Sequence, residues 1–137
     1  IAQVAVQTGP FDAEAVRQHL ATRRNVLCCL AYVDGEPVGF KVGHEERPRY
    51  FESWIGGVAP AHRRQGMARA LMQAQHQWCA ENGYRIVSTV TEGSNHPMLI
   101  ANLQAGFDVC GTFLDRGQIL KVILQKRLAG PGAETGG

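Results

Sequence analysis

Residues 50–91 predict a strand, a loop, an amphipathic helix and a second strand in direct succession. The three regular segments are Tyr50–Val58, Gly66–Glu81 and Arg85–Thr91. Apolar residues recur at helical spacing in the helix and predict the side that packs against a sheet. These residues are Met67, Leu71, Ala74 and Trp78. Because a crossover helix joins strands that lie parallel in one sheet, this segment predicts an α/β fold.

The flanking segments predict that the rest of the sheet is mostly antiparallel. Before the crossover we expect an edge strand, a helix and a hairpin, at Ala2–Gln7, Phe11–Arg24, Val26–Val33 and Val38–His44. Asp34-Gly35 is typical of a tight hairpin turn. After the crossover we expect a short helix and a second hairpin, at His96–Gln104, Phe107–Leu114 and Gln118–Gln125. One domain then spans residues 1–128, and the glycine-rich segment 129–137 is expected to be disordered.

Composition excludes several classes of protein. A net charge of +2 gives no indication of a nucleic-acid partner. The longest apolar run, Val26–Val33, is too short to cross a bilayer. None of the four cysteines has C-x-x-C spacing, so we expect no metal site and a reducing compartment. With no signal peptide visible, we expect a cytoplasmic protein.

The loop between the first crossover strand and the helix carries an unusual run, VAPAHRRQGMARAL, at Val58–Leu71. A helix N-terminus offers unbonded N–H groups and partial positive charge, which attract anions. Gly66 permits close approach to the backbone. Arg63, Arg64 and Arg69 add charge for phosphate oxygens. From the spacing alone, a phosphate-binding loop and a solvated basic loop both remain open.

The run V-x-P-x-x-R-R-x-G-x-A resembles motif A of the GNAT superfamily of N-acetyltransferases. In that family a Q/R-x-x-G-x-G/A loop holds the pyrophosphate of acetyl-CoA. The positions that match it are Arg63, Arg64, Gln65, Gly66, Met67 and Ala68. Asn95 stands eleven positions before Gly106-Phe107, which resembles the family's second signature of an asparagine, a helix and a Gly-Phe. The resemblance covers Val26 to about Leu128.

The resemblance implies acetyl-CoA as cosubstrate, bound where the two crossover strands splay apart. The pantetheine arm would pair with the backbone at Gly57, Val58 and Ala59 like an added strand. Gly56-Gly57 would leave room for the thioester, although a simple β-bulge also explains this pair. Asn95 and Arg69 complete the expected cofactor-binding set.

The resemblance also implies a catalytic base, and Glu52 stands where histone-acetylating members carry their glutamate. An edge-strand carboxylate or an ion-pair partner remains open for Glu52, with Glu92 and His44 as further candidates for the base. Strand alternation predicts that Glu52 and Trp54 share a face. Many relatives carry a tyrosine, as general acid, four residues before the Gly-Phe. Here Asn102 occupies that position, and we expect its amide to assist the departing thiolate by a hydrogen bond.

Together these features predict transfer of an acetyl group to a primary amine of a small molecule or peptide. The runs His44-Glu45-Glu46 and Tyr50-Phe51-Glu52 predict an acidic and aromatic rim that suits a cationic amine. The alternative is a non-catalytic acyl-CoA-binding module of the same fold. A nucleic-acid binder is disfavoured because no aromatic residues interleave the basic cluster. A homodimer remains open.

Overall fold

The computed structural model describes residues 13–129, and the N-terminal strand and C-terminal tail expected from the sequence lie outside this range. The helices are α1 (Ala13–Ala21), α2 (Met67–Glu81) and α3 (His96–Gln104). The strands are β1 (Arg24–Val33), β2 (Glu36–Arg47), β3 (Tyr50–Val58), β4 (Ile86–Glu92), β5 (Asp108–Leu114) and β6 (Leu120–Arg127). Across the described range, each helix is too short or too polar to span a lipid bilayer.

The strands form a single mixed sheet in the order β1-β2-β3-β4-β6-β5. Among the strands of residues 13–129, only the β3–β4 pair is parallel, and the other four pairs are antiparallel. The expected α/β fold with a mostly antiparallel sheet is thereby confirmed. Because the second hairpin folds back on β4 through its second strand, β6 lies inside the sheet and β5 forms its edge.

The two crossover strands separate soon after they start. They are paired at three positions only, from Tyr50 opposite Ile86 to Glu52 opposite Ser88. Beyond this point β3 remains bonded to β2, and β4 remains bonded to β6. The predicted V-shaped opening is therefore present, and Glu52 lies at its apex.

A β-bulge in β3 changes the face to which the strand directs its side chains. Val42 of β2 lies opposite Ile55 and Gly43 lies opposite Ser53, so Trp54 is the extra residue. The register runs evenly through Gly56-Gly57, where the sequence suggested the bulge. Because one inserted residue inverts the alternation that follows, Glu52 and Val58 face opposite sides of the sheet despite their even spacing.

Each face of the sheet has its own core. Under α2, a cluster of buried residues includes Phe51, Cys79 and Val87, each fully excluded from solvent. On the other face, Phe40 and Val42 are also fully buried and contact Leu20 of α1. Fully burying one such side chain contributes about 1.5–3 kcal/mol. The sheet is thus held by helices on both faces, with the opening between them.

The buried side of α2 agrees with the predicted one except at Ala74, and it also includes polar residues. Leu71 is buried as expected, but Ala74 is exposed. The other buried residues of this helix are Gln75, His76 and Cys79. The predicted side is otherwise confirmed, since Trp78 packs against the core and Met67 is partly buried, but polar side chains share the buried side. Within the described part of the chain, the Gln75 amide and His76 Nε2 have no hydrogen-bond partner.

Candidate functional site

A cleft of about 890 Å³ lies on the α2 face of the sheet, beside the opening between β3 and β4. The open end of β3 lines it through Gly56, Gly57 and Val58. The N-terminal half of α2, together with Met98 and Ala101 of α3, forms further walls. The strand β3, the helix α2 and the helix α3 therefore all line one cavity.

The cleft is lined by cations. Its five lysine and arginine residues are Lys41, Arg63, Arg64, Arg69 and Lys126, and no aspartate or glutamate is among the described residues that line it. Three of these cations come from the loop identified in the sequence, whereas Lys41 lies on β2 and Lys126 on β6. With no carboxylate to neutralise them, these side chains give the cleft a positive potential suited to a polyanion.

The loop that opens α2 has a backbone suited to anions. Arg64 and Gly66 both adopt left-handed conformations, with φ of 64° and 79°. Gly66 is the N-cap of α2 and its cap position has no side-chain hydrogen bond, so the first turn keeps its N–H groups unbonded by a cap. A Cβ built on Gly66 meets nothing within 4 Å. The backbone conformation at Gly66 therefore favours glycine, and the first turn stays open to a ligand.

The loop is anchored to the end of β3. Arg63 Nε donates a hydrogen bond of 3.0 Å to the Val58 carbonyl oxygen. The Ala59 N–H donates to the Val38 carbonyl at 2.7 Å, so Ala59 faces β2. Because N–H groups alternate between the two edges of a strand, the Val58 N–H is directed to the edge that faces the opening. Pairing with a ligand strand therefore remains available at Val58.

His76 brings a neutral imidazole to the wall of the cleft. Burial lowers its pKa to about 3, and the nearby charges of Lys126 and Lys41 act in the same direction. Lys126 Nζ lies 3.3 Å from His76 Nδ1 and donates to it. The remaining proton of the neutral ring then lies on Nε2, which has no partner among residues 13–129. This leaves a buried hydrogen-bond donor at the cleft.

The opposite face of the sheet holds Glu52 in a cluster with two histidines. Glu52 Oε2 lies 3.8 Å from His44 Nε2, and His44 is almost fully buried. His19 of α1 lies with its Nε2 3.2 Å from that same nitrogen. The His19 ring also stacks on Trp54, with centroids 3.7 Å apart. The expectation that Glu52 and Trp54 share a face is confirmed.

Burial and hydrogen bonds set the protonation of His19 and the tautomer of His44. Burial lowers the pKa of His19, and the charges of Arg23 and His44 act in the same direction. His44 Nδ1 lies 3.1 Å from the Glu45 carbonyl oxygen, to which it donates in the neutral ring. That tautomer places the lone pair of His44 on Nε2, the atom that contacts His19 and Glu52.

The expected acidic and aromatic rim is only partly present. Phe51 is fully buried in the core beneath α2. Glu45 accepts hydrogen bonds from Tyr84 and Asn25. Glu46 accepts from Ser88, the residue opposite Glu52 in the parallel pair. The structure therefore removes Phe51 from the rim and keeps Glu46 beside the apex of the opening.

The two asparagines of the second signature lie outside the set of residues that line the cleft. Asn95 caps α3, since its Oδ1 accepts from the Met98 N–H at 3.3 Å. Asn102 is buried, and its Nδ2 donates to Thr91 Oγ1 at 3.3 Å. Its backbone carbonyl accepts from the Phe107 N–H. Both contacts favour a packing role for Asn102, because its amide is already bonded to β4.

Other sequence candidates are distributed around the same region. Glu92 is paired with Lys121 at 3.4 Å at the end of β4. Gln65 is exposed and, like Ala59, is not among the residues that line the cleft. The sequence missed Lys41, Lys126 and His76, which join the cleft from three separate elements. A lysine between Phe40 and Val42 in a buried strand was the one available signal.

A sequence model of the Acetyltransferase (GNAT) family matches residues 3–107. This chain belongs to the GNAT family. It is therefore an N-acyltransferase of the GNAT type, and the family uses acetyl-CoA. No curated protein sequence matches the chain significantly.

Solved GNAT structures share the fold of this chain. The ribosomal-protein-S18-alanine N-acetyltransferase from Escherichia coli has a TM-score of 0.80 and 14% identity, covering 98% of this chain and 88% of that chain. An Elizabethkingia anophelis GNAT acetyltransferase with acetyl-CoA bound has a TM-score of 0.75 and 17% identity, covering 92% and 89%. Nourseothricin acetyltransferase has a TM-score of 0.68 and 24% identity. The match covers 75% of this chain and 65% of the nourseothricin enzyme.

Proposed function

We propose that this GNAT acetyltransferase transfers the acetyl group of acetyl-CoA to a primary amine of a small molecule or peptide. The proposal rests on the positions of a cationic cleft and a carboxylate on the two faces of the sheet, beside the opening between β3 and β4. A cationic cleft lies on one face of the sheet, and a carboxylate lies at the apex on the other. Both flank the only gap between paired strands that the structure describes within residues 13–129.

The cofactor side supports acetyl-CoA through charge and backbone geometry. The phosphates would be bound by the first turn of α2 together with Arg63, Arg64 and Arg69. Gln65, Met67 and Ala68 belong to the same motif and shape its backbone. The N–H of Val58 would pair with the pantetheine arm and then stabilise the oxyanion that forms during acyl transfer. His76 Nε2 is a further donor for the arm.

The acceptor side supports a cationic amine and its deprotonation. An alkyl ammonium has a pKa near 10.4, so it must lose a proton before its nitrogen can attack the thioester. Glu52 would accept this proton directly or through a water, with Glu46 adding negative charge nearby. The ring of Trp54 gives this side an aromatic surface that attracts a cation.

The departing thiolate needs less assistance. A thiol has a pKa of about 8.5, so its anion is a fair leaving group near neutral pH. Asn102 is bonded to Thr91, and its amide would have to leave that partner to reach the thiolate. This arrangement favours departure of the thiolate without a hydrogen bond from Asn102.

A panel of acceptors tests the proposal. Release of the CoA thiol from acetyl-CoA is measured with primary amines, peptides with a free N-terminus and a no-acceptor blank. In parallel, thermal shifts are measured with acetyl-CoA, CoA and dephospho-CoA. We expect all three ligands to stabilise the fold, and an amine in the panel to release thiol above the blank.

The outcomes test cofactor binding and acetyl transfer separately. Stabilisation by acetyl-CoA with no thiol release from any amine class would favour the binding module. If none of the three ligands stabilises the fold, the cleft does not bind CoA. Release with amines but not with the corresponding alcohols would establish the nitrogen acceptor.

A further inference from the structure

We propose that His19, His44 and Glu52 form a binding site for a divalent transition-metal ion of the zinc class. The spacing of the cysteines predicted no metal site, but this cluster consists of two histidines and a glutamate and contains no cysteine. One ligand atom of each residue lies within 4.8 Å of the other two. Two imidazoles and one carboxylate form a common ligand set for zinc, with a fourth position left for water.

The distances fit the coordination geometry of such an ion. With metal–nitrogen bonds of 2.0–2.1 Å, two ligands of a tetrahedral zinc lie about 3.3 Å apart. His19 Nε2 and His44 Nε2 are 3.2 Å apart. Glu52 Oε2 is 3.8 Å from His44 Nε2, and the three ligand atoms lie within 4.8 Å of one another, so the partly exposed carboxylate would rotate toward the histidines. The two histidines are therefore already placed for binding, and the Glu52 side chain is the one that must move.

The surroundings orient the ligand atoms. His44 Nδ1 contacts the Glu45 carbonyl oxygen at 3.1 Å, which directs its Nε2 lone pair into the cluster. Metal-binding histidines usually make such a contact through the other ring nitrogen. The stack of His19 on Trp54, with rings only 10° from parallel, fixes the second imidazole. Glu52 is about one-third exposed, which leaves an approach for solvent and for the ion.

A metal ion at this site would inhibit acetyl transfer, and this effect rests on the proposed role of Glu52 as the general base. A bound cation would engage the carboxylate of Glu52, which could then no longer accept a proton from an amine. Occupancy of this site would therefore inhibit acetyl transfer reversibly. A chelator would restore the rate.

Binding of Zn²⁺ to the metal-stripped full chain is the first measurement. Calorimetric titration compares the parent with His19→Ala, with His19→Gln as a second variant that retains a polar side chain. His96→Ala is the matched control, because His96 is exposed and lies outside the cluster. Co²⁺ provides a visible spectrum that distinguishes nitrogen and oxygen ligands from cysteine thiolates.

We expect one Zn²⁺ per chain in the parent and in His96→Ala. Loss of an orienting partner already costs about 10–100-fold in metal affinity, so both His19 variants should lose at least this much. Equal affinity in all four proteins would overturn the site, and so would a Co²⁺ spectrum with a thiolate charge-transfer band.

Acetyl transfer with and without Zn²⁺ is the second measurement, if the parent transfers to any amine in the panel. We expect inhibition of the parent and of His96→Ala, and none of His19→Ala. Binding that depends on His19 without inhibition would retain the metal site and overturn its link to Glu52. The calorimetric result decides the site even for a chain without transferase activity.

Discussion

The two sides of the opening in the sheet are built in different ways. The cofactor side takes most of its features from one continuous segment, the loop and first turn of α2. The acceptor side is assembled from α1, β2 and β3, whose side chains meet only in the folded chain. The cofactor side thus combines backbone geometry with lysine and arginine side chains, whereas the acceptor side brings a carboxylate together with two histidines.

The largest expected effect is a loss of acetyl-transfer rate caused by a substitution on the acceptor side. Removal of a general base typically costs about 10²–10⁴-fold in rate, so Glu52→Gln should lower acetyl transfer by such a factor. Its affinity for acetyl-CoA should stay close to that of the parent, because Glu52 faces away from the cleft. Steady-state rates in the presence of EDTA, together with acetyl-CoA titrations, check both statements.

Glu92→Gln is the matched control for this substitution. Its carboxylate is held by Lys121 at the far end of β4, so we expect the parent rate. If Glu52→Gln keeps the parent rate while Glu92→Gln loses it, the role of base passes to Glu92.

The next effect breaks the cofactor side alone. A ligand at ~100 times its dissociation constant stabilises a fold by about 2.7 kcal/mol, and Gly66→Val should abolish this stabilisation by acetyl-CoA. A β-branched residue disfavours the φ of 79° and places a side chain where the first turn is open. Thermal denaturation with and without acetyl-CoA measures the difference.

Gly83→Val controls for backbone strain. Gly83 follows the other end of α2 with φ of 86°, and its Cβ would also meet nothing within 4 Å. Both variants should lose similar stability without ligand, but only Gly66→Val should lose the ligand shift. Equal shifts in the two variants would exclude the loop as the anion site.

A smaller effect is expected on the cofactor side, where His76 makes the stability of the fold depend on pH. The folded pKa of His76 is about 3, and the unfolded value is near 6.5. Since the unfolded chain binds the proton more tightly, the contribution of His76 to stability is complete above about pH 6.5 and falls toward pH 3. At pH 5 this loss amounts to about 2 kcal/mol.

Urea unfolding at pH 7 and pH 5 measures the contribution of His76. His76→Gln should lose less stability than the parent between these pH values, whereas His96→Gln at an exposed site should behave like the parent. A parent and a His76→Gln variant with the same pH dependence would contradict a neutral, buried His76.

The smallest effect concerns Asn102. A buried hydrogen bond contributes about 0.5–1.5 kcal/mol, and an orphaned partner costs more, so Asn102→Ala should lose about 1–3 kcal/mol of stability. Acetyl transfer should fall by much less than in Glu52→Gln. A double-mutant cycle with Thr91→Val should show coupling, because the two side chains are bonded at 3.3 Å. A large loss of rate without coupling would make Asn102 a catalytic residue.

Much of the fold and of the cofactor side could be predicted from the sequence. Helix periodicity, the position of Gly66 and the neighbouring arginines are local signals, because a helix N-terminus and a left-handed turn are formed by consecutive residues. The order of the elements followed from patterns along the whole chain, and the opening between β3 and β4 was implied by the family resemblance.

The structure decided what depends on register and on side-chain burial. Even spacing places Glu52 and Val58 on one face, and the inserted Trp54 separates them onto two. Likewise, Gln75 and His76 turn a polar side of α2 inward, which no apolar pattern indicates. One extra residue in a strand inverts every position after it, so such errors propagate along the strand.

The sequence by itself determined the crossover, its arginine-rich loop and the family, since each rests on neighbouring residues whose backbone conformation is set locally. Tertiary structure alone decided that Lys41 and Lys126 join the cleft and that His19 meets His44 and Glu52. His19 and His44 stand 25 residues apart and on different elements. Their contact depends on how α1 packs across the sheet, and packing is a property of the whole chain.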